Sequence, residues 1–246
     1  MSSFSLEEAV SGVWQVRLPW VVAYILTNGK EWTLVDSGTR WDRIRLLQAI
    51  RALKLMPRDC HNVLLTHGHC DHSGNAAFFG TRYRAPLHAH AKERIYIETP
   101  RTYIPRGLRA ISSQGTMFAL GEVVWPVRRC ELHVVLHEGD VVHTPTGEWR
   151  VLHTPGHTPG HISYFREHDG VLLSGDAIIN VVPYKRIEGL TLPLPIFSVD
   201  VEQGRESARR LIELAPRVLL PGHGRPIVKN TAARLRELVC SPPGQK

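Results

Sequence analysis

The chain has 246 residues, of which 43% are hydrophobic and 22% charged, with a formal net charge of +7 at pH 7. These values belong to a globular protein able to bury its own core, and they exclude a disordered chain, a collagen and a coiled coil. No apolar run approaches the length of a membrane-spanning helix, and residues 1–10 carry neither the basic cluster nor the apolar stretch of a secretory signal.

In chain order, the recurrent pattern is a short apolar run that ends abruptly in a polar residue. The first run is Trp32-Thr33-Leu34-Val35, ending in Asp36. Residues 42–55 then read as an amphipathic helix, with Leu46, Leu47, Ile50 and Leu53 on one side and Pro57 as its stop. Val63-Leu64-Leu65 leads into Thr66 and His67. Residues 91–138 have weak periodicity and carry Pro100, Pro105 and Pro126, which predicts an insertion or lid in an otherwise single domain spanning 1–246. The run beginning at Trp149 leads to His157. A tight turn at His168-Asp169-Gly170 precedes Val171-Leu172-Leu173, which ends in Asp176. Residues 181–198 are rich in proline and predict a loop crossing the mouth of a site. A second amphipathic helix is expected over 201–214, with Ala208, Leu211, Ile212 and Ala215 inward. Val218-Leu219-Leu220 then leads to His223, and a last helix is expected over 231–239. Short apolar runs bounded by Gly or Pro read as buried strands. Strands alternating with helices predict an α/β fold, with the strand ends meeting at one edge.

Histidine is abundant, at 14 residues. The segment Thr66-His67-Gly68-His69-Cys70-Asp71-His72 packs three histidines and an aspartate into six positions, and His157, Asp176 and His223 follow at strand ends, each beside a glycine. Imidazole and carboxylate together suit zinc foremost, and also iron or manganese. Seven such groups exceed one tetrahedral ion and fit two divalent ions sharing a carboxylate. The chain carries no Gly-x-Ser-x-Gly elbow, His-Glu-x-x-His or Walker loop to compete.

The pattern His67-x-His69-x-Asp71-His72, then His157, Asp176 and His223, with Leu34-Val35-Asp36-Ser37-Gly38 upstream and Pro221-Gly222-His223-Gly224 downstream, resembles the metallo-β-lactamase superfamily across about residues 13–227. The resemblance implies a four-layer αββα sandwich with the metal site at one edge of the two sheets. It implies that His67, His69 and His157 hold one ion, that Asp71, His72 and His223 hold a second, and that Asp176 bridges them. Asp36 would support the ligand loop from behind, and His161 would stand in the same outer layer. The implied chemistry is hydrolysis, in which a metal-bridging hydroxide attacks the carbonyl of a thioester, lactone or related small acyl ester, with Asp71 as the catalytic carboxylate that orients the nucleophile. The implied group is the glyoxalase II-like or lactonase-like hydrolases. The same resemblance leaves open a mononuclear iron persulfide-dioxygenase-like oxidoreductase, or a phosphodiesterase or ribonuclease. Asp176 stands where secreted zinc β-lactamases usually carry cysteine, and His69 where flavo-diiron enzymes carry glutamate.

Lys185 follows Asp176 by nine residues, near where glutathione thioesterases place an anion-binding lysine, so Tyr184, Lys185 and Arg186 are candidate contacts for an anionic or polar substrate tail. The expected partner is therefore a small acyl compound. The basic residues are dispersed, which argues against nucleic acid, and no membrane partner is expected. The four cysteines, Cys60, Cys70, Cys130 and Cys240, form no Cys-x-x-Cys pair and suit reduced thiols in the cytoplasm. The chain itself is expected to be a monomer or homodimer.

Overall fold

A computed structural model describes residues 4–99, 127–182 and 187–240. Seven strands form one sheet in sequence order: β1 (Ser5–Val10), β2 (Val13–Arg17), β3 (Val22–Thr27), β4 (Trp32–Val35), β5 (Cys60–Leu64), β6 (Leu87–His90) and β7 (Val134–Leu136). The first four pair antiparallel, and β4 to β7 pair parallel. The second sheet has the order β14-β11-β10-β9-β8, built from β8 (Val141–Thr144), β9 (Gly147–His153), β10 (Ile162–Arg166), β11 (Val171–Gly175) and β14 (Val218–Pro221). Only its β11–β14 pair is parallel.

Side-chain parity explains why β3 is buried at all six positions. Val22, Tyr24 and Leu26 point between the sheets, where they meet Trp149, Val151, Tyr164, Leu173 and Leu220. Ala23 and Ile25 point the other way, into a layer with Leu46, Ala49, Ile50 and Phe79. That outer layer comes from helices α1 (Arg43–Ala52) and α3 (Ala76–Tyr83); the single-turn α2 (Cys70–Ser73) lies between them in the chain and the single-turn α4 (Arg94–Ile97) follows them. On the far side Leu152, Phe165, Leu172 and Leu219 meet Ala208 and Leu211 of α5 (Val201–Glu213) and Leu235 of α6 (Thr231–Cys240). The result is the αββα sandwich. Each of its two central sheets needs apolar residues on both faces, so the strands read as continuous apolar runs.

Three expectations change. The prolines of 181–198 suggest a loop, but β12 (Ile179–Val182) and β13 (Ile187–Thr191) pair antiparallel. Pro193 and Pro195 fall after β13, so the ladder from Ile179 to Thr191 loses no donor to them. Ala215 is exposed rather than inward: α5 ends at Glu213, and Ala215 has φ 48°, outside any helix. The segment 91–138 is not wholly an insertion. Its start is a helical turn with Glu93 fully buried, and its end supplies β7 to the larger sheet. The intervening 100–126 lies outside the described residues.

Candidate metal centre

The parallel strands of both sheets end on the same edge. Asp36 follows β4, His67 follows β5, Asp176 follows β11 and His223 follows β14. Ligand sites in α/β sheets sit at such carboxyl ends. The sheets are tied together there: Ile162 N–H donates to the Thr66 carbonyl at 2.9 Å, and Val22 N–H to the Gly222 carbonyl at 2.8 Å. The Tyr164 hydroxyl donates to the Leu65 carbonyl at 2.9 Å.

Two groups of ligand-type side chains meet at this edge. In the first, His67 Nε2 and His157 Nε2 each lie 3.0 Å from His69 Nδ1. In the second, Asp71 Oδ2 lies 3.9 Å from His72 Nε2 and 3.7 Å from His223 Nε2. Asp176 stands between the groups. Its Oδ2 is 3.4 Å from His157 Nε2 and 3.1 Å from His223 Nε2, while its Oδ1 is 3.5 Å from His72 Nε2. His67, His72, Asp176 and His223 are buried, and Asp71 is partly exposed.

The outer partners decide which nitrogen of each imidazole faces inward. Asp36, a carboxylate, accepts from Thr66 N–H at 2.9 Å through Oδ1, and from the Thr66 hydroxyl at 2.9 Å through Oδ2. With its proton committed, the Thr66 oxygen accepts from His67 Nδ1–H at 3.0 Å, so His67 Nε2 carries a lone pair. His72 Nδ1–H donates to Asp36 Oδ2 at 2.8 Å, and His223 Nδ1–H donates to the Trp20 carbonyl at 2.6 Å. Three inward Nε2 atoms are thereby acceptors. Among the described residues His72 Nε2 and Asp176 Oδ1 are buried without a hydrogen-bond partner. Inward lone pairs set 3.5 Å and 3.1 Å from the Asp176 carboxylate, on His72 and His223, and orphaned buried acceptors are unfavourable unless a cation lies among them. The donor set therefore fits divalent ions, with three overlapping groups: His67, His69 and His157; His67, His72 and Asp176; Asp71, His72 and His223.

The electrostatics agree for the first imidazole group. Burial lowers His67, with help from its neighbouring imidazoles, and takes His69 and His157 down to about 3. At neutral pH these rings are unprotonated, as ligands must be. Burial also opposes charge on His72 and His223, but Asp176, Asp36 and Asp71 beside the first, and Asp176 and Asp71 beside the second, raise both. Burial would raise Asp176, yet His223 and His72 pull it well below the usual carboxylate range.

His161 has both nitrogens engaged elsewhere. Its Nε2 accepts from Asp176 N–H at 2.9 Å, and its Nδ1–H donates to the Thr154 hydroxyl at 2.8 Å. It fixes the backbone of Asp176 instead of facing the cluster. Tyr184, Lys185 and Arg186 lie outside the described residues. Thr66 and Glu93 escaped sequence reasoning. The Glu93 carboxylate, pushed up to about 7 by burial, accepts from both the His67–His69 and the His157–His161 segments. The only signal for it was an acid just after the apolar β6 run.

A profile of the metallo-beta-lactamase superfamily matches residues 21–223. The probable metallo-hydrolase YflN of Bacillus subtilis is 35% identical over 185 residues, 72% of this chain and 69% of its own. A hydroxyacylglutathione hydrolase of Bdellovibrio bacteriovorus is 28% identical over 199 residues, 80% of this chain and 60% of its own. The crystal structure of a metallo-beta-lactamase family protein, TTHA1429 from Thermus thermophilus, superposes with a TM-score of 0.74 at 28% identity, covering 94% of this chain and 79% of that one. No described helix is long and apolar enough to cross a membrane.

Proposed function

Because the chain belongs to the metallo-beta-lactamase superfamily, we propose that it is a metal-dependent hydrolase that cleaves small acyl esters, namely thioesters or lactones, at a two-ion centre. The observation that carries this reading is the Asp176 carboxylate set between two imidazole groups, with the inward Nε2 atoms of His67, His72 and His223 held as lone pairs. His67, His69 and His157 would hold one ion, Asp71, His72 and His223 the other, and Asp176 both. Zinc suits the nitrogen-rich set best; iron and manganese suit it too. When bound, such ions polarise a carbonyl and make water a nucleophile near neutral pH.

The chain's own groups do the rest. Asp71 is the one partly exposed carboxylate of the cluster, placed to accept a proton from an attacking water and to orient it. Asp36 and Thr66 hold His67 and His72 in the ligand tautomer. His161 holds the Asp176 backbone. No serine or cysteine nucleophile is needed. Acyl thioesters are favoured as substrates by the hydroxyacylglutathione hydrolase relative. Tyr184, Lys185 and Arg186 would bind the polar or anionic tail of such a substrate, and Lys185→Ala should raise KM for carboxylated thioesters while leaving kcat in place. The deciding experiment is a panel of acyl thioesters and lactones with zinc-reconstituted protein, wild type against Asp176→Asn. Turnover by wild type and its loss in the variant are expected. Oxygen uptake with a persulfide, and no thioester or lactone cleavage, would overturn the assignment.

A further inference from the structure

Glu93 has 0% relative exposure and sits in the turn between β6 and α4. A buried carboxylate is costly unless its oxygens are satisfied. Here the three donors all come from the two segments that carry the first imidazole group. Gly68 N–H, between His67 and His69, donates to Oε2 at 2.7 Å. The Thr158 hydroxyl, next to His157, and Gly160 N–H, next to His161, each donate to Oε1 at 2.8 Å. The donors lie 25, 65 and 67 residues away in sequence.

The two glycines are packed close against the carboxylate. A Cβ at Gly160 would stand 2.6 Å from Glu93 Oε1. One at Gly68 would stand 3.1 Å from Oε2 and collide with Tyr96. Both glycines admit the carboxylate by lacking a side chain. The contacts of Glu93 bring together segments whose His67, His69 and His157 nitrogens meet at 3.0 Å.

We propose that Glu93 is a positioning residue: one carboxylate clamps the His67–His69 segment to the His157–His161 segment and so sets the spacing of the His67, His69 and His157 donors. This rests on the reading of that trio as a metal-ligand set. Glu93→Gln keeps the shape of the side chain, but its amide nitrogen must face at least one of the three donors. A purely structural role would lower the metal-free thermal midpoint and leave metal binding alone, whereas a positioning role changes the binding step and its bands.

The test is titration of metal-free protein with cobalt(II), following the visible d–d bands, alongside the thermal midpoint of the metal-free protein. For Glu93→Gln, one cobalt binding step should weaken about tenfold to a hundredfold, the cost typical of an outer-layer change. Its bands should shift. Thr158→Val, which removes one donor and keeps the carboxylate, should change the same binding step in the same direction by less. Wild-type binding and bands in both variants would refute the clamp. So would a lowered metal-free midpoint with unchanged bands, which marks ordinary packing. A wild-type protein that binds no cobalt would instead refute the metal reading, and the clamp with it.

Discussion

Replacing Asp36 by asparagine isolates the group that orients the second imidazole set. Asp36 Oδ2 accepts from both His72 Nδ1–H and the Thr66 hydroxyl, and Oδ1 accepts from Thr66 N–H. An amide has one acceptor oxygen. Toward His72 its NH2 would meet an N–H, so His72 must turn its proton to Nε2, the atom that faces Asp176 and Asp71. Toward Thr66 the NH2 would meet the backbone N–H instead, leaving that buried donor unpaired. Either orientation forfeits a charge-assisted bond, about 1.5–3 kcal/mol, which corresponds to a loss of roughly 10- to 100-fold in metal affinity. Asparagine is the clean choice because Asp36 has φ 55°, a left-handed conformation that asparagine tolerates and alanine resists by about 1–2 kcal/mol. The assay is zinc competition against a chromophoric chelator. One of two binding steps should weaken by that factor, and hydrolysis at limiting zinc should fall in parallel. Two wild-type binding constants in Asp36→Asn would refute the tautomer argument.

Asp176→Ala should abolish turnover and release metal, measured as ions per chain after gel filtration; full occupancy would deny the shared carboxylate. In the metal-free protein, burial lowers His67 and takes His69, His157 and His161 to about 3, while His72 and His223 are raised. Below the ordinary histidine value of 6.5 the unfolded chain takes up protons that four of these rings refuse when folded, so stability falls as pH drops, by about 1.4 kcal/mol per pH unit for each unmatched proton. The two raised histidines stabilise in the opposite sense: their contribution is present below 6.5 and lost as pH rises through their folded values. Denaturant midpoints of metal-free protein should therefore peak near neutrality and fall on the acid side, and a flat profile from pH 7 to 5 would contradict these directions. Burial raises the Cys60 thiol and pushes Cys130 up to about 12, with Glu98 adding to the second. Timed iodoacetamide labelling near pH 8, read by peptide mass spectrometry, should find both at least a hundredfold slower than an open thiol, since thiolate is the reactive form.

Much of the architecture was legible because polar residues of the site fall where apolar strands stop. Asp36, His67, Asp176 and His223 each follow a strand buried on both faces, and local sequence displays both the run and its end. Parity within β3, with Val22, Tyr24 and Leu26 against Ala23 and Ile25, is invisible until two covering layers are in place. The β12–β13 hairpin was hidden by the prolines that flank it. Glu93 was hidden for a different reason. Its partners Gly68, Thr158 and Gly160 lie far along the chain, and its own segment has no period to mark a buried face. The tautomers of His67, His72 and His223 likewise depend on Thr66, Asp36 and the Trp20 carbonyl, contacts that only the folded edge creates.

The central claim is a centre for two ions that share Asp176. Elemental analysis of the protein purified without chelator tests it most directly, in moles of each metal per chain. The account predicts about two divalent ions per chain, zinc foremost, as a shared-carboxylate hydrolase requires. A single iron per chain that no added zinc, manganese or iron can raise to two would contradict it.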